Sequence, residues 1–408
     1  MQHNNIPRSF KSVLSAAFLV AALGLGCEKV LTSAPNDGDL LSAPLPGLSN
    51  ALQIMFNQGD ARFDEVFTVE TGLGPTFNHA SCAGCHPGDG RGDVGVTFSR
   101  FTEPGGNPLT NGEPQLQHFS IPGVTPEALP AGALVSRRTA PPVFGVGLIE
   151  SIPEATILAN ADPGDADGDG ISGRPNMILA PSFVPATEVG GGLGLHLGRF
   201  GLKANNASLI AQTVGAYRQD MGITSDFDPV EIVHPLGNGV AIGDNVADPE
   251  IPASTVQQTV MYIRLLSPPA RGPITSQVQQ GEGIFNSSGC AKCHIPTMKT
   301  GPNNIPQLSN VDVNLYSDLL LHDMGPDLAD NRPDGQATGT EWKTRPLWGL
   351  RLVTDFLGGQ AFYLHDSRAT SLSTAITAHG GEAVASRDAF VGLSDADKQA
   401  LIAFLNSL

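Results

Sequence analysis

Apolar residues recur at helical spacing in four stretches of the chain, each with marked ends. Val256, Val260 and Ile263 share one side of a helix that Ser254 can cap and that Ser267-Pro268-Pro269 stops. Val278, Gly281 and Phe285 line a second, shorter helix. Leu372, Ala375, Ile376 and His379 fall at i, i+3, i+4 and i+7 between a polar start and Gly380-Gly381. A histidine therefore occupies the apolar face of the third helix. Ser394 and Asp397 form a capping-box-like start for the fourth, which carries Leu401, Phe404, Leu405 and Leu408 on one face. Residues 267–273, rich in proline and glycine, read as a linker between the first pattern and the other three.

The other strong hydropathy feature is N-terminal. Arg8 and Lys11 precede an uncharged stretch, residues 13–26, of signal-peptide length and too short to span a bilayer. Residues 1–26 are expected to be an export signal, which places the mature chain in the periplasm or cell envelope. Cys27 follows Gly24-Leu25-Gly26 and resembles the lipidated cysteine of bacterial lipoproteins. Residues 27–48 then read as a flexible tether, and a lipid anchor is the one expected contact with a membrane.

Composition narrows the class. In 408 residues there are 48 Gly and 32 Pro, and charged residues are 15%, below the roughly 25% usual in soluble domains, so loops are long and a coiled coil is excluded. The hydrophobic content of 40% is enough for real cores. A net charge of −17 repels phosphate backbones and excludes nucleic acid as a partner.

Four of the five cysteines stand in Cys82-Ala-Gly-Cys85-His86 and Cys290-Ala-Lys-Cys293-His294. This is the c-type haem attachment sequence: two thiols add across the vinyl groups of one haem and the adjacent histidine reaches the iron. Chance predicts about 0.0015 such matches in a chain of this composition. A redox Cys-x-x-Cys or a zinc knuckle explains neither histidine. Two covalent c-type haems are therefore expected, held by Cys82, Cys85, His86, Cys290, Cys293 and His294. The surroundings repeat as well. Phe77-Asn78 stands before the first motif as Phe285-Asn286 stands before the second, and Arg138-Thr139-x-Pro141 with Phe144-Gly145 is echoed by Lys343-Thr344-x-Pro346 with Trp348-Gly349. The expected fold is mainly α, two tandem cytochrome c-like haem domains with long loops and little β structure. The N-terminal domain covers 49–266, the linker 267–273 and the C-terminal domain 274–408.

From about Asp60 onwards the chain resembles the bacterial di-haem oxidoreductases, also called thiol oxidoreductases, within the di-haem cytochrome c peroxidase superfamily. The carriers are Gly72-Leu-Gly-Pro-x-Phe77-Asn78, Ala140-Pro-Pro-x-Phe-Gly-x-Gly-Leu-Ile-Glu150, Gly198-Arg-Phe-Gly201, Gln219-Asp220-Met221-Gly222, Leu321-His322-Asp323-Met324-Gly325, Leu364-His365-Asp366 and His379-Gly-Gly-Glu-Ala383. The label of thiol oxidoreductase gains nothing from the cysteines, because the four beyond Cys27 are committed to haem.

A haem with protein ligands on both sides only passes electrons, whereas an open side reacts. For the second haem the apolar-face His379 is the expected ligand opposite His294. The resemblance agrees, since relatives take this ligand from the helix after a Tyr/Phe-x-His segment. Met324 is the competing ligand, and His322 and His365 are expected to form hydrogen bonds near the haem carboxylates or the interface. For the first haem no comparable partner of His86 is found. The resemblance implies a glutamine and a carboxylate over its open face, here Gln212 and Asp220, with Asp in place of the usual Glu and two fewer intervening residues. Such an acid takes and returns a proton during peroxide cleavage. Glu150, ending an apolar run, is the rival. Relatives place a tryptophan between the haems where this chain has Leu202, which leaves Phe200 or close haem edges to carry electrons.

Asp165, Asp167 and Asp169, followed by Gly170, resemble the first half of a calcium loop within 162–176, although position 12 is Asn176. Calcium is the one further cofactor this suggests. The Gly190–Gly194 run reads as a loop. The expected activity is reduction of hydrogen peroxide, or another small oxidant, at the His86 haem, with electrons from a small or protein donor entering through the His294/His379 haem. A pure electron-transfer cytochrome and an oxygenase or protein-modifying enzyme are the alternatives.

Overall fold

The structure is a computed structural model that describes residues 41–105, 114–191, 194–232, 244 and 246–408. Cys27 lies outside the described residues. Helix makes up 36% of them and strand 14%, and the strands form only two-stranded antiparallel sheets. The expectation of a mainly helical chain with little β structure holds at that level.

The longer helices are α1 (Asn50–Phe63), α2 (Leu209–Met221), α3 (Ala253–Leu265), α4 (Ser276–Ser287), α5 (Leu372–Thr377), α6 (Val384–Gly392) and α7 (Asp395–Leu405). All four apolar patterns contain a helix, but α5 ends at Thr377 and α7 at Leu405, so His379 and Leu408 lie just beyond their helices. Ser394 caps α7 as its spacing requires, accepting from Asp397 N. Ser254, by contrast, lies inside α3, which starts after Pro252.

Two helix crossings organise the fold, and they are alike. Helix α1 crosses α3 at Gly59, where a Cβ would collide with the Gln258 carbonyl and the Tyr262 side chain. Helix α4 crosses α7 at Gly281, where a Cβ would strike the Ala400 carbonyl and Phe404. One turn further on, Phe63 packs 5.3 Å from Tyr262 and Phe285 packs 5.1 Å from Phe404. Glycine is needed at both crossings because the backbones meet there with no room for a side chain.

Buried side chains gather into two large clusters. The first takes α1, α2 and α3 together with Met298, Leu315, Leu320, Trp348 and Leu352. The second takes α4, α5, α7 and Tyr363. The segment 267–273 is fastened rather than loose: Gly272 N donates to Ser407 O at 2.7 Å, and Arg271 pairs with Glu282 at 3.0 Å while lying over Phe404.

The second sequence echo is a reciprocal contact. Trp348 packs on Gly145, and Phe144 packs on Gly349, so each repeat lays its aromatic residue over the glycine of the other. The first echo is different. Phe77 is in a short strand and packs on Phe119, 6.0 Å away, whereas Phe285 lies 6.4 Å from His294. The residue that stands beside His86 in that way is Phe63, at 6.1 Å. Residues 64–81 separate α1 from its motif, while only Ser288 and Gly289 separate α4 from the next, so equal spacing from the cysteine does not give equal position.

Replacing Gly281 by alanine is expected to destabilise the chain by about 1–3 kcal/mol through overpacking. Urea denaturation would measure it, and an unchanged midpoint would contradict the crossing described here.

Candidate functional site

The second motif follows α4 through Gly289, whose φ of 82° makes the turn. His294 N donates to Cys290 O at 2.9 Å, which folds the motif into one tight turn. His294 Nδ1 donates to the Tyr316 carbonyl at 2.9 Å, and at the end of α5 His379 Nδ1 donates to the Ala375 carbonyl at 2.7 Å. Burial pushes His294 down to about 4 and lowers His379 as well, so both rings are neutral. With the proton held at Nδ1, the lone pair of Nε2 is free on both. Both line a cavity of about 260 Å³ together with Cys290, Cys293 and Met324.

His322 and His365 also line this cavity but are engaged. His322 lies between Asp318 at 2.8 Å and Glu382 at 2.7 Å, with Cys293 Sγ at 3.7 Å. Burial opposes its charge, yet the Asp318, Cys293 and Glu382 hydrogen bonds outweigh burial and hold it up to about 12. His365 stacks on Trp342 with ring centres 3.8 Å apart.

The first motif is a one-turn helix, Cys82–Cys85, capped by Ser81, whose Oγ accepts from Gly84 N at 3.1 Å. Burial, and after it the Asp220 charge, pushes the Cys82 and Cys85 thiols up to about 12, and burial takes Cys290 to about 11. Thiols held neutral in this way are poor redox nucleophiles, which argues against a redox role for Cys82, Cys85 and Cys290. Burial also pushes His86 down to about 4. Its Nδ1 has no hydrogen bond of normal geometry, although backbone groups of Pro141 and Gly90 lie close enough to favour the proton slightly.

Asp220 ends α2 beside this motif. Its backbone carbonyl accepts from Asn78 N at 2.6 Å and His79 N at 3.1 Å, and its carboxylate accepts from the Gln115 side chain. Burial pushes the carboxyl up to about 7, against the opposing pull of Gln115 and Arg100. Gln212 lies about 12 Å away along the same helix, at 1.5 Å rise per residue. There it accepts from Asn206 at 2.8 Å, so the amide in contact with Asp220 is Gln115. Gln115 arrives from a loop roughly a hundred residues upstream, and no local pattern announces it. His79 was also missed. Its ring lies where a Cβ of Gly84 would be, against the motif helix, and its Nδ1 is buried without a partner.

Glu150 is committed to holding helices. Its Oε1 accepts from Leu209 N at 2.9 Å at the start of α2, and its Oε2 accepts from Arg264 Nε at 2.6 Å. In the acidic loop, carboxylate oxygens of Asp162, Asp165 and Asp167 lie within 4.8 Å of one another. Asp169 instead pairs with Lys292 at 2.9 Å, and Asn176 turns inward to the Lys203 carbonyl. Leu202, Trp348 and Phe144 line the large cavity, while Phe200 is buried in the first cluster.

Two Cys-x-x-Cys-His turns, each ending in a half-buried histidine whose proton affinity is lowered by desolvation, are the pattern of a di-haem protein. The chain belongs to the family described as "Di-haem oxidoreductase, putative peroxidase", whose profile matches residues 120–408. The matched span contains the second motif and not the first. No curated protein matches the chain. Among solved structures it is similar to Kuenenia stuttgartiensis hydrazine synthase pressurized with xenon, at 14% identity over 93% of this chain and 96% of that one, with a TM-score of 0.38. Family membership makes the chain an enzyme of the general oxidoreductase kind with haem cofactors. The residues present fit that group: thiols at both motifs, a cavity lined by two neutral imidazoles, and buried polar atoms at His79 and His86 that no protein group satisfies. Among the described residues no helix is long and apolar enough to cross a membrane.

Replacing Glu150 by alanine is expected to cost about 1–2 kcal/mol of stability, because the α2 N-terminus loses an acceptor and Arg264 keeps only Glu188, at 2.7 Å, as its counter-charge. Thermal denaturation beside peroxide turnover per folded molecule separates this role from a catalytic one, which predicts the opposite: lost turnover at unchanged stability.

Proposed function

We propose that the chain is an exported di-haem peroxidase with two covalent c-type haems, built as two tandem cytochrome c-like modules. The repeated glycine crossings and the Phe63/His86 and Phe285/His294 pairs support the tandem reading. When bound, haem supplies the one-electron steps by which hydrogen peroxide, two electrons and two protons become two waters. His294 and His379 would hold the C-terminal haem, which would then take electrons from a small or protein donor.

The observation that carries the reading is the inequality of the two sites. His379 reaches the second site with its Nδ1 already committed to a carbonyl, whereas beside the first motif stands Asp220, a buried carboxyl poised near neutrality. Asp220 holds or accepts a proton at its carboxylate, and Gln115 fixes the rotamer that does so. Leader removal and lipidation at Cys27 would place the enzyme at the outer face of a bacterial membrane. Calcium held by Asp162, Asp165 and Asp167 would brace the loop whose Asp169 grips Lys292 inside the second motif.

His79 favours a second reading. If its ring ligates the first haem, both irons are saturated and the chain only relays electrons. Low-temperature electron paramagnetic resonance of the oxidised protein decides between them. One high-spin and one low-spin haem are expected, with His379→Ala turning the second centre high-spin. Two low-spin haems that ignore peroxide would end the peroxidase proposal.

Asp220→Asn is expected to slow reaction with peroxide by about a hundredfold, the upper part of the range for a lost acid–base group being larger still. In the parent protein the rate should fall as the pH drops through about 7, where Asp220 becomes protonated and can no longer accept. Stopped-flow kinetics from pH 5 to 9 would show this limb, and its persistence in the Asp220→Asn variant would assign it elsewhere.

A further inference from the structure

The cavity that His294 and His379 line is also lined by three cations, Arg91, Lys343 and Arg345, that have no acid partner among the described residues. Arg91, five residues beyond His86 and only 6% exposed, donates through Nη2 to the Leu364 carbonyl at 3.0 Å and reaches Ser367 Oγ at 3.4 Å. Its Nε is buried with no partner. Arg345 donates to the same Leu364 carbonyl at 3.1 Å, and Lys343 donates to the Arg199 carbonyl at 2.8 Å. Leu364 is held at φ 67°, a left-handed conformation that a leucine rarely adopts, and in it the carbonyl accepts from two guanidinium groups.

The cations immediately behind them are treated differently. Arg138 and Arg332 pair with Asp334 at 2.8 and 3.0 Å, and Lys203 pairs with Asp330 at 2.8 Å. Glu382, the carboxylate on the cavity wall, is spent on His322 and Ser172. Among the described residues Arg91, Lys343 and Arg345 therefore meet only neutral oxygens. Three positive charges converging on one interior space without counter-charge are costly, and the cost is relieved by an anion that enters the same space.

We infer that Arg91, Lys343 and Arg345 are the counter-charges of the two carboxylates of the C-terminal haem, and that Arg91 makes those carboxylates part of the join between the two halves of the chain. The inference rests on the reading that this cavity holds a haem. A ferric haem with two neutral imidazoles carries one net negative charge once both carboxylates are ionised. Reduction adds an electron and makes it more negative. Three cations at its edge therefore favour the reduced state and raise the potential. Arg91 belongs to the loop that leaves the first motif, so the chain around His86 is fastened to the edge of the second haem.

Potentiometric titration of the haem-loaded protein tests this, with the low-spin optical band reporting the His294/His379 haem and the other haem serving as internal reference. Arg91→Gln, Lys343→Gln and Arg345→Gln are each expected to raise the ferric-to-ferrous ratio at fixed poise roughly tenfold, about 59 mV for a one-electron couple. The reference haem should move much less, and Arg91→Lys should restore most of the loss. Unchanged potentials in all three variants, with two haems bound, would overturn the inference. If Arg91→Gln loses the second haem, Arg91→Lys decides. Restored loading and potential support a charge role, and failure to restore either shows that shape alone mattered and overturns it. Failure of the underlying reading is distinguishable, because pyridine haemochrome analysis of the unaltered chain would then count fewer than two haems.

Discussion

A histidine can offer Nε2 to the protein interior only when the proton on Nδ1 has an acceptor of its own, and that condition shapes the C-terminal half of this chain. The Tyr316 carbonyl serves His294 and the Ala375 carbonyl serves His379. Both acceptors are backbone oxygens on packed segments, so the rings cannot swing without disrupting the core around Phe285, Tyr316 and Phe404. Burial keeps the two imidazoles neutral, and neutrality makes them metal donors rather than competing cations. Both histidines line one cavity with Cys290, Cys293, Arg91, Lys343 and Arg345.

The N-terminal half shares two packing features with the C-terminal half and differs in its titratable groups. Gly59 lets α1 cross α3 as Gly281 lets α4 cross α7, and Phe63 stands by His86 as Phe285 stands by His294. Around His86, however, the ring nitrogen lacks a well-formed partner, and the charge of Asp220, a carboxyl held near neutral pH by burial, is felt at the adjoining Cys82 and Cys85. One half thus has two neutral histidines at its cavity and the other a carboxyl near its motif. The proposed division of labour between electron entry and peroxide reduction follows from that difference.

Charge placement binds the two halves. The Arg138, Arg332, Lys203, Asp330 and Asp334 network draws residues from both halves and lies under Trp342, with Lys203 4.5 Å from the Trp342 ring centre. Glu382, His322 and Ser172 connect the acidic loop to the second motif, and Asp169 reaches Lys292 within it. Contacts of this kind between distant segments make the surroundings of the second site a joint product of the chain rather than of residues 274–408 alone.

The sequence alone determined whatever depends on neighbours a few residues apart. The two Cys-x-x-Cys-His turns were legible because their residues stand at set offsets, and the spacing from Leu372 brings His379 to the cavity although the helix itself stops at Thr377. The apolar faces and end signals of the four helices were legible for the same reason. Only the tertiary structure decided which side chains from remote segments meet. It brought Gln115 to Asp220 where Gln212 had been expected, laid His79 on Gly84, and tied Glu150 to Arg264 and Leu209. It also made Phe63, not Phe77, the counterpart of Phe285, because residues 64–81 interrupt the spacing that a motif comparison assumes. A pattern along the chain records local geometry, but a buried charge or amide takes its role from the partner that folding delivers.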